Sequence, residues 1–101
     1  MIEIIEIFIQ NSGEKKVECL IIYDKKICYL NGKRYIINEE FISRLENILV
    51  TWKSEYGNSN KIDTEEFLIR IKTTNSLDKI HGKGIFPDNY EQLLNLLGEL
   101  K

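Results

Sequence analysis

The chain is poor in the residues that form metal sites and reaction centres. Its 101 residues include one histidine, one proline and two cysteines. His81 is distant in sequence from Cys19 and Cys28, and these three side chains cannot supply the four ligands of a closed zinc site. We therefore predict no metal and no other cofactor. A cysteine nucleophile would need His81 as its base, whereas both cysteines fall in apolar strand-like segments, so we predict that the protein is not an enzyme.

The chain also lacks an excess of charge of either sign. Fourteen basic and sixteen acidic residues give a formal net charge of −2. Such a chain has no long-range positive field, and we expect neither nucleic acid nor a membrane surface as its partner. An apolar fraction of 43% with 30% charged residues excludes disordered and membrane-spanning classes. The length predicts a single domain over residues 1–101.

The first nine residues are apolar but carry Glu3 and Glu6 and lack a basic start. This pattern indicates a strand and no signal peptide, so we expect a cytoplasmic protein. In a reducing compartment, Cys19 and Cys28 are expected to be buried and unpaired. The alternative is that they lie on one face of neighbouring hairpin strands and approach disulfide distance.

Strand-like patterns fill most of the chain outside two helical segments. Apolar, β-branched and alternating residues predict strands at residues 2–9, 17–23, 27–30, 35–37, 66–72 and 77–81. Asn31-Gly32 is a strong hairpin signal, because both central residues of a type I′ turn need positive φ. Asn11-Ser12-Gly13 and Asp24-Lys25-Lys26 mark two further turns.

Two amphipathic helices follow from apolar spacings of three and four residues. The first begins after Asn38, whose side chain can cap it, and its apolar stripe extends through Trp52 and Tyr56 to Gly57. The last begins near Pro87 or Asp88 and carries a leucine-rich stripe. The predicted class is α+β, with an antiparallel sheet of five or six strands, two helices on one face and the order ββββαββα.

In the second half of the chain, Trp52 at the end of the first predicted helix is followed by Tyr56 and then by Asp63. These residues resemble the pattern of a family of small bacterial proteins of Firmicutes and their mobile elements, which has a helix-terminal tryptophan, a tyrosine and then an aspartate. Thr64 and Phe67 replace a glycine and a tryptophan of the family pattern. Its glycine, aromatic, proline and asparagine before the last helix match Gly82, Phe86, Pro87 and Asn89, while Gly84 replaces an asparagine. The resemblance implies no activity.

Two functional hypotheses from different classes follow. The first is protein–protein binding, because the strands carry more apolar residues than one buried face requires. Its candidate residues are Tyr23, Tyr29, Arg34 and Tyr35, and a strand at the edge of the sheet, such as residues 33–37, can pair with a partner. The partner is another protein or a second copy in a homodimer. By analogy, a phage- or plasmid-encoded inhibitor of a host defence system, or an immunity protein, fits such a chain.

The alternative hypothesis is a binding site for a phosphorylated small molecule at the turn from Gly82 to Asp88. His81, Gly82, Lys83 and Gly84 precede a helix, and free amides with a nearby lysine can bind an anion. The spacing differs from that of a Walker loop or a dinucleotide fingerprint.

Overall fold

The computed structural model describes residues 1–58 and 65–100. They form an α+β fold with one seven-stranded sheet and two helices. The elements in chain order are β1 (Ile2–Asn11), β2 (Glu14–Ile22), β3 (Ile27–Leu30), β4 (Lys33–Ile36), α1 (Glu39–Leu49), β5 (Glu55–Asn58), β6 (Glu65–Thr73), β7 (Leu77–Lys83) and α2 (Tyr90–Gly98). The spatial order of the strands is β4-β3-β2-β1-β6-β7-β5.

The predicted turns form where the sequence places them. Asn31 has φ 51° and Gly32 has φ 84°, so both central residues of the β3–β4 turn adopt the positive φ that the Asn-Gly pair predicted. The Asn31 side-chain oxygen also accepts a hydrogen bond of 2.8 Å from the amide of Glu18. Ser12 and Gly13 form a similar positive-φ turn between β1 and β2. These tight turns make β1 to β4 an antiparallel meander.

The predicted strand count and element order are wrong in one place. The sheet has seven strands, and the order is ββββαβββα, because residues 55–58 form a strand that lies parallel to β7. The first helix ends at Leu49, capped by Asn38 as expected, and does not reach Tyr56. Trp52 is nevertheless buried, because its ring packs edge-on against Phe67 of the sheet. The helical spacing of the apolar residues therefore continued past the end of the helix.

The last helix begins later than predicted. Its N-cap is Asn89, not Asp88, and its first helical residue is Tyr90. The Asn89 side chain does not cap the helix. Its oxygen accepts a hydrogen bond of 2.5 Å from the Trp52 indole, and its amide donates to the Ile48 carbonyl at 2.8 Å. Asn89 thus joins the start of α2 to the segment after α1.

Both helices pack on the same face of the sheet. The alternating residues Ile5, Ile7 and Ile9 of β1 are fully buried beneath them, together with Leu45 of α1 and Leu93 of α2. An ion pair of 2.6 Å between Arg44 and Glu99 joins the two helices at the surface. We call the opposite face of the sheet the open face, because neither helix covers it. The predicted placement of two helices on one side agrees with this packing.

Candidate protein-binding face

A row of isoleucines crosses the open face. Strand registers place each of these residues directly opposite the next, from the edge strand β4 through β3 and β2 to β1, in the order Ile36, Ile27, Ile22 and Ile4. We call this set the isoleucine row. Three strand spacings of about 4.8 Å give it a length of about 14 Å. Ile36 is 79% exposed, and the other three are partly buried.

The isoleucine row is followed on β6 by a positively charged residue. The residue opposite Ile4 on β6 is Lys72. The neighbouring row on the same face reads Arg34, Tyr29, Leu20, Glu6, Arg70 and Lys79 across the sheet. We call Arg70, Lys72 and Lys79 the basic cluster. None of the three makes an ion pair with any residue in the described part of the chain.

A shallow groove lies on the open face near the basic cluster. Phe8 of β1 and Leu68 of β6 stand opposite each other and line it, and both are partly exposed. Lys15, Glu66 and His81 contribute to its sides. Apolar side chains beside charged ones are the composition of protein-binding surfaces, whose core is apolar and whose rim is polar. This arrangement can accept one large side chain of a partner.

The four residues predicted for partner binding separate onto two faces. Tyr29 is 37% exposed and lies opposite Arg34, so both belong to the open face. Tyr35 is opposite the buried Cys28 and packs against the core on the helix side. Tyr23 also packs against the core, and its hydroxyl donates to Glu46 of α1 at 3.0 Å. Both tyrosines remain partly exposed, but on the helix side, because strand register decides which face each side chain occupies.

The sequence analysis did not identify the isoleucine row. Ile4, Ile22, Ile27 and Ile36 are far apart in the chain, and only the pairing of four strands makes them neighbours. One signal was available in the alternation of β1. Ile4 lies on the same side of the strand as Glu6 and Phe8, and on the opposite side from the buried Ile5 and Ile7. The edge strand was anticipated, and β4 does lie at one edge of the sheet.

His81 is held between two carboxylates. Its Nε2 lies 2.6 Å from a Glu66 oxygen and its Nδ1 lies 3.1 Å from a Glu55 oxygen. Hydrogen bonding to Glu66 and then to Glu55 raises the pKa of His81. The same contact with His81 lowers the pKa of Glu66, which also accepts a hydrogen bond from Gln10. The pair of carboxylates leaves His81 poorly suited to receive an anion.

The remaining residues of the hypothetical anion site have structural roles. Gly82 and Lys83 lie within β7, and the amide of Gly84 donates to the Glu65 carbonyl at 3.0 Å. Gly84 has φ 75°, a backbone angle that favours glycine, whereas Gly82 does not have positive φ. A Cβ at Gly82 would lie 2.5 Å from a Phe67 ring carbon. Close packing of Phe67 is the reason for glycine there.

Cys19 and Cys28 are free and buried, and their sulfur atoms are 3.4 Å apart. They occupy the same side of the hairpin, since Cys19 pairs with Leu30 and Cys28 with Ile21. Hydrogen bonding with Cys28 and burial raise the pKa of Cys19 far above its ordinary value. Neither thiol is exposed to a substrate. Among the described residues, no group of three His, Cys, Asp or Glu side chains is arranged to hold a metal ion.

Comparison of the chain with protein-family models, curated proteins and solved structures found no significant match. The family resemblance therefore stays a prediction, and two of its residues, Asp63 and Thr64, lie outside the described residues. In the described chain, neither helix is long and apolar enough to cross a membrane. The open face is accordingly interpreted from its own residues.

Proposed function

We propose that the protein is a noncatalytic binding module that docks another protein on the open face of its sheet. The observation that carries this proposal is the isoleucine row, a set of four apolar side chains in direct register on a face that neither helix covers. Burying apolar surface contributes about 25 cal/mol per Å², so each isoleucine that a partner covers favours association. Ile36 at the end of the row is the most exposed of them.

The size of the sheet supports this mode of binding. Seven strands at about 4.8 Å spacing give a face about 29 Å wide. A stable protein interface buries about 800 Å² on each partner, which a face of this width and strands of nine or ten residues can provide. Tyr29 and Arg34 add the residue types that dominate binding energy in protein interfaces.

The proposal includes the cytoplasmic location and the role of a stoichiometric inhibitor or immunity-type protein. What supports this role is analogy: the family resemblance points to mobile elements, and the geometry of the open face suits a protein that acts by covering a partner. A second copy of the chain is the simplest partner to test, since it requires no other component.

The test compares variants on and off the open face. Ile22→Glu and Ile36→Glu place a charge in the isoleucine row, and Val50→Glu is the matched control because Val50 is also an exposed apolar residue, 76% exposed, but follows α1. Light scattering after size exclusion reports self-association, and affinity capture from the native host followed by reconstitution with the purified partner reports a heterologous complex.

We expect a stoichiometric complex that forms with the wild type and the Val50→Glu protein and is lost with both isoleucine variants. Circular dichroism must show that the variants are folded, and Ile36→Glu is the safer of the two because its side chain is mostly in solvent. A complex that tolerates both isoleucine substitutions would show that partners bind elsewhere, and the proposal would be wrong.

A further inference from the structure

We propose that the partner segment on the open face combines apolar side chains at one end with carboxylates at the other. This inference rests on the proposed function and adds the chemistry of the occupant. The isoleucine row supplies an apolar track from β4 to β1, and Lys72 continues that row on β6. A segment that crosses the strands therefore meets aliphatic side chains first and the basic cluster next.

The basic cluster is not neutralised by ion pairs within the described chain, so its charge is available to a partner. The chain has a net charge of −2 and therefore no excess of basic residues. Three cations close together on one face are thus not a simple result of a basic composition. Some surface lysines have acidic partners, as Lys16 has with Glu65 at 2.7 Å and Lys26 with Glu39 at 3.0 Å. Arg70, Lys72 and Lys79 have none among the described residues. Complementary charge at the rim of an interface sets its specificity and association rate.

Arg70 is the most specific element of the cluster. Its guanidinium lies 5.9 Å from the centre of the Phe8 ring, and this cation–π contact holds it beside the groove. Its Nε is buried and has no hydrogen-bond partner among the residues that the structure describes. Glu6 lies directly opposite in the register but makes no ion pair with it. A guanidinium fixed in this way presents its remaining donors to a planar carboxylate, which it binds through two parallel hydrogen bonds.

A second copy and a nucleic acid fit this face less well. Two open faces packed together would bring the like charges of two basic clusters into one interface, which is unfavourable when they lose solvent. Single-stranded nucleic acid needs exposed aromatic rings on which bases stack. Tyr29 provides one such ring, whereas Phe8 is only partly exposed and has the Arg70 guanidinium over its ring, and the isoleucine row provides no stacking surface.

The experiment uses a displayed library of random peptides of about 12 residues, a length that spans the sheet when extended. The library is panned separately on the wild type and on the Lys72→Glu/Lys79→Glu double variant. Enriched peptides are synthesised, and their affinities are measured by fluorescence anisotropy. Lys53→Glu is the charge control, because Lys53 also lacks an ion pair among the described residues but follows α1. Ile36→Glu tests the location of binding.

We expect enriched peptides that contain aspartate or glutamate together with aliphatic or aromatic residues. Their affinity should fall about tenfold or more in the double variant, because reversed charges repel the same carboxylates. The Lys53→Glu protein should bind as the wild type does.

Two results separate this inference from the proposed function. Peptides that lose affinity in Ile36→Glu but contain no acidic residues, or ignore the double substitution, would overturn the acidic partner and leave open-face docking intact. Failure to enrich any peptide sensitive to Ile36→Glu would overturn both. A labelled random single-stranded RNA of about 20 nucleotides is the competing probe. If it binds more tightly than the selected peptides and loses affinity in the double variant, the partner is a nucleic acid and the inference is wrong.

Discussion

Replacement of Gly82 by alanine should strongly destabilise the protein. An added Cβ would lie 2.5 Å and 2.8 Å from two carbons of the Phe67 ring and 2.8 Å from the Ile85 carbonyl oxygen. The ring cannot move away easily, because Phe67 is 1% exposed and its centre lies 5.4 to 5.8 Å from the rings of Trp52, Phe86 and Tyr90. Overpacking of a well-filled core costs about 1–3 kcal/mol, and we expect the upper end of that range.

The assay is thermal and urea unfolding followed by circular dichroism. For a domain of this size, 1 kcal/mol corresponds to a shift in Tm of about 4 °C or more, so we expect a Tm lower by about 12 °C. Gly98→Ala is the matched control, because apart from its chain neighbours and the backbone of its own helix no described atom lies within 4 Å of the added Cβ, and the residue belongs to α2. Alanine in a helix stabilises by up to about 1 kcal/mol relative to glycine, so this control should be neutral or slightly stabilised.

A double-mutant cycle with Phe67→Leu tests the stated cause. The smaller side chain should relieve the overlap, so that Gly82→Ala costs at least about 1 kcal/mol less in the Phe67→Leu background than in the wild type. If Gly82→Ala changes the free energy of unfolding by less than about 0.5 kcal/mol, or shows no coupling to Phe67, packing is not the reason for glycine at this position.

Three further predictions concern other buried or paired groups. The folded-state pKa of His81 is raised above its unfolded value of about 6.5, so the stability that the wild type has over His81→Gln should be complete below pH 6.5 and disappear as pH rises through the folded pKa. Urea unfolding of both proteins at several pH values measures this difference in the free energy of unfolding. A difference that grows toward high pH would contradict the prediction. Asn89→Ala should lower the free energy of unfolding by about 2 kcal/mol in the same assay, because it leaves the Trp52 indole and the Ile48 carbonyl without partners. Asn89→Asp keeps the acceptor for Trp52 and should cost less. Equal costs for the two variants would argue against the hydrogen bond to the indole. Both cysteines should resist a thiol reagent such as Ellman's in the native protein and react fully in denaturant, since both are buried, and rapid native reaction would show that this hairpin opens.

Local patterns predicted the parts of the fold that local physics determines. The Asn31-Gly32 turn was predictable because positive φ at two successive positions has few sequence solutions. The cap at Asn38 was predictable for the same kind of reason, as its side chain accepts from the amide of Phe41 at 2.9 Å. The α+β class followed from strands and helices with one apolar face each.

The errors arose where tertiary packing replaced a local preference. Trp52 and Tyr56 have helical spacing from Leu45 and Leu49, yet both lie beyond the helix and pack against the ring of Phe67, Trp52 buried and Tyr56 partly buried. Strand β5 has four residues and includes Gly57, so no propensity marks it, and its only described strand partner is the distant β7. Long-range pairing of this kind leaves no local signal.

The sequence predicted that a second apolar surface exists, but not which residues form the open face. An excess of apolar strand residues indicated that a second surface exists, but the choice between Tyr35 and Ile36 depends on which neighbour faces the helices. The basic cluster was hidden by the near-neutral composition, because Arg70, Lys72 and Lys79 come together only through the β6–β7 register.

The first strand of the chain waits for a partner that is synthesised more than fifty residues later. β1 pairs with β2 through a tight turn, but its other edge pairs with β6, where Ile2 meets Thr73. A nascent chain on the ribosome therefore carries an apolar strand with a bare edge until residue 73 has emerged, and bare edges promote aggregation. Pulse-labelled hydrogen exchange during refolding should find the β1 amides that face β2 protected before those that face β6.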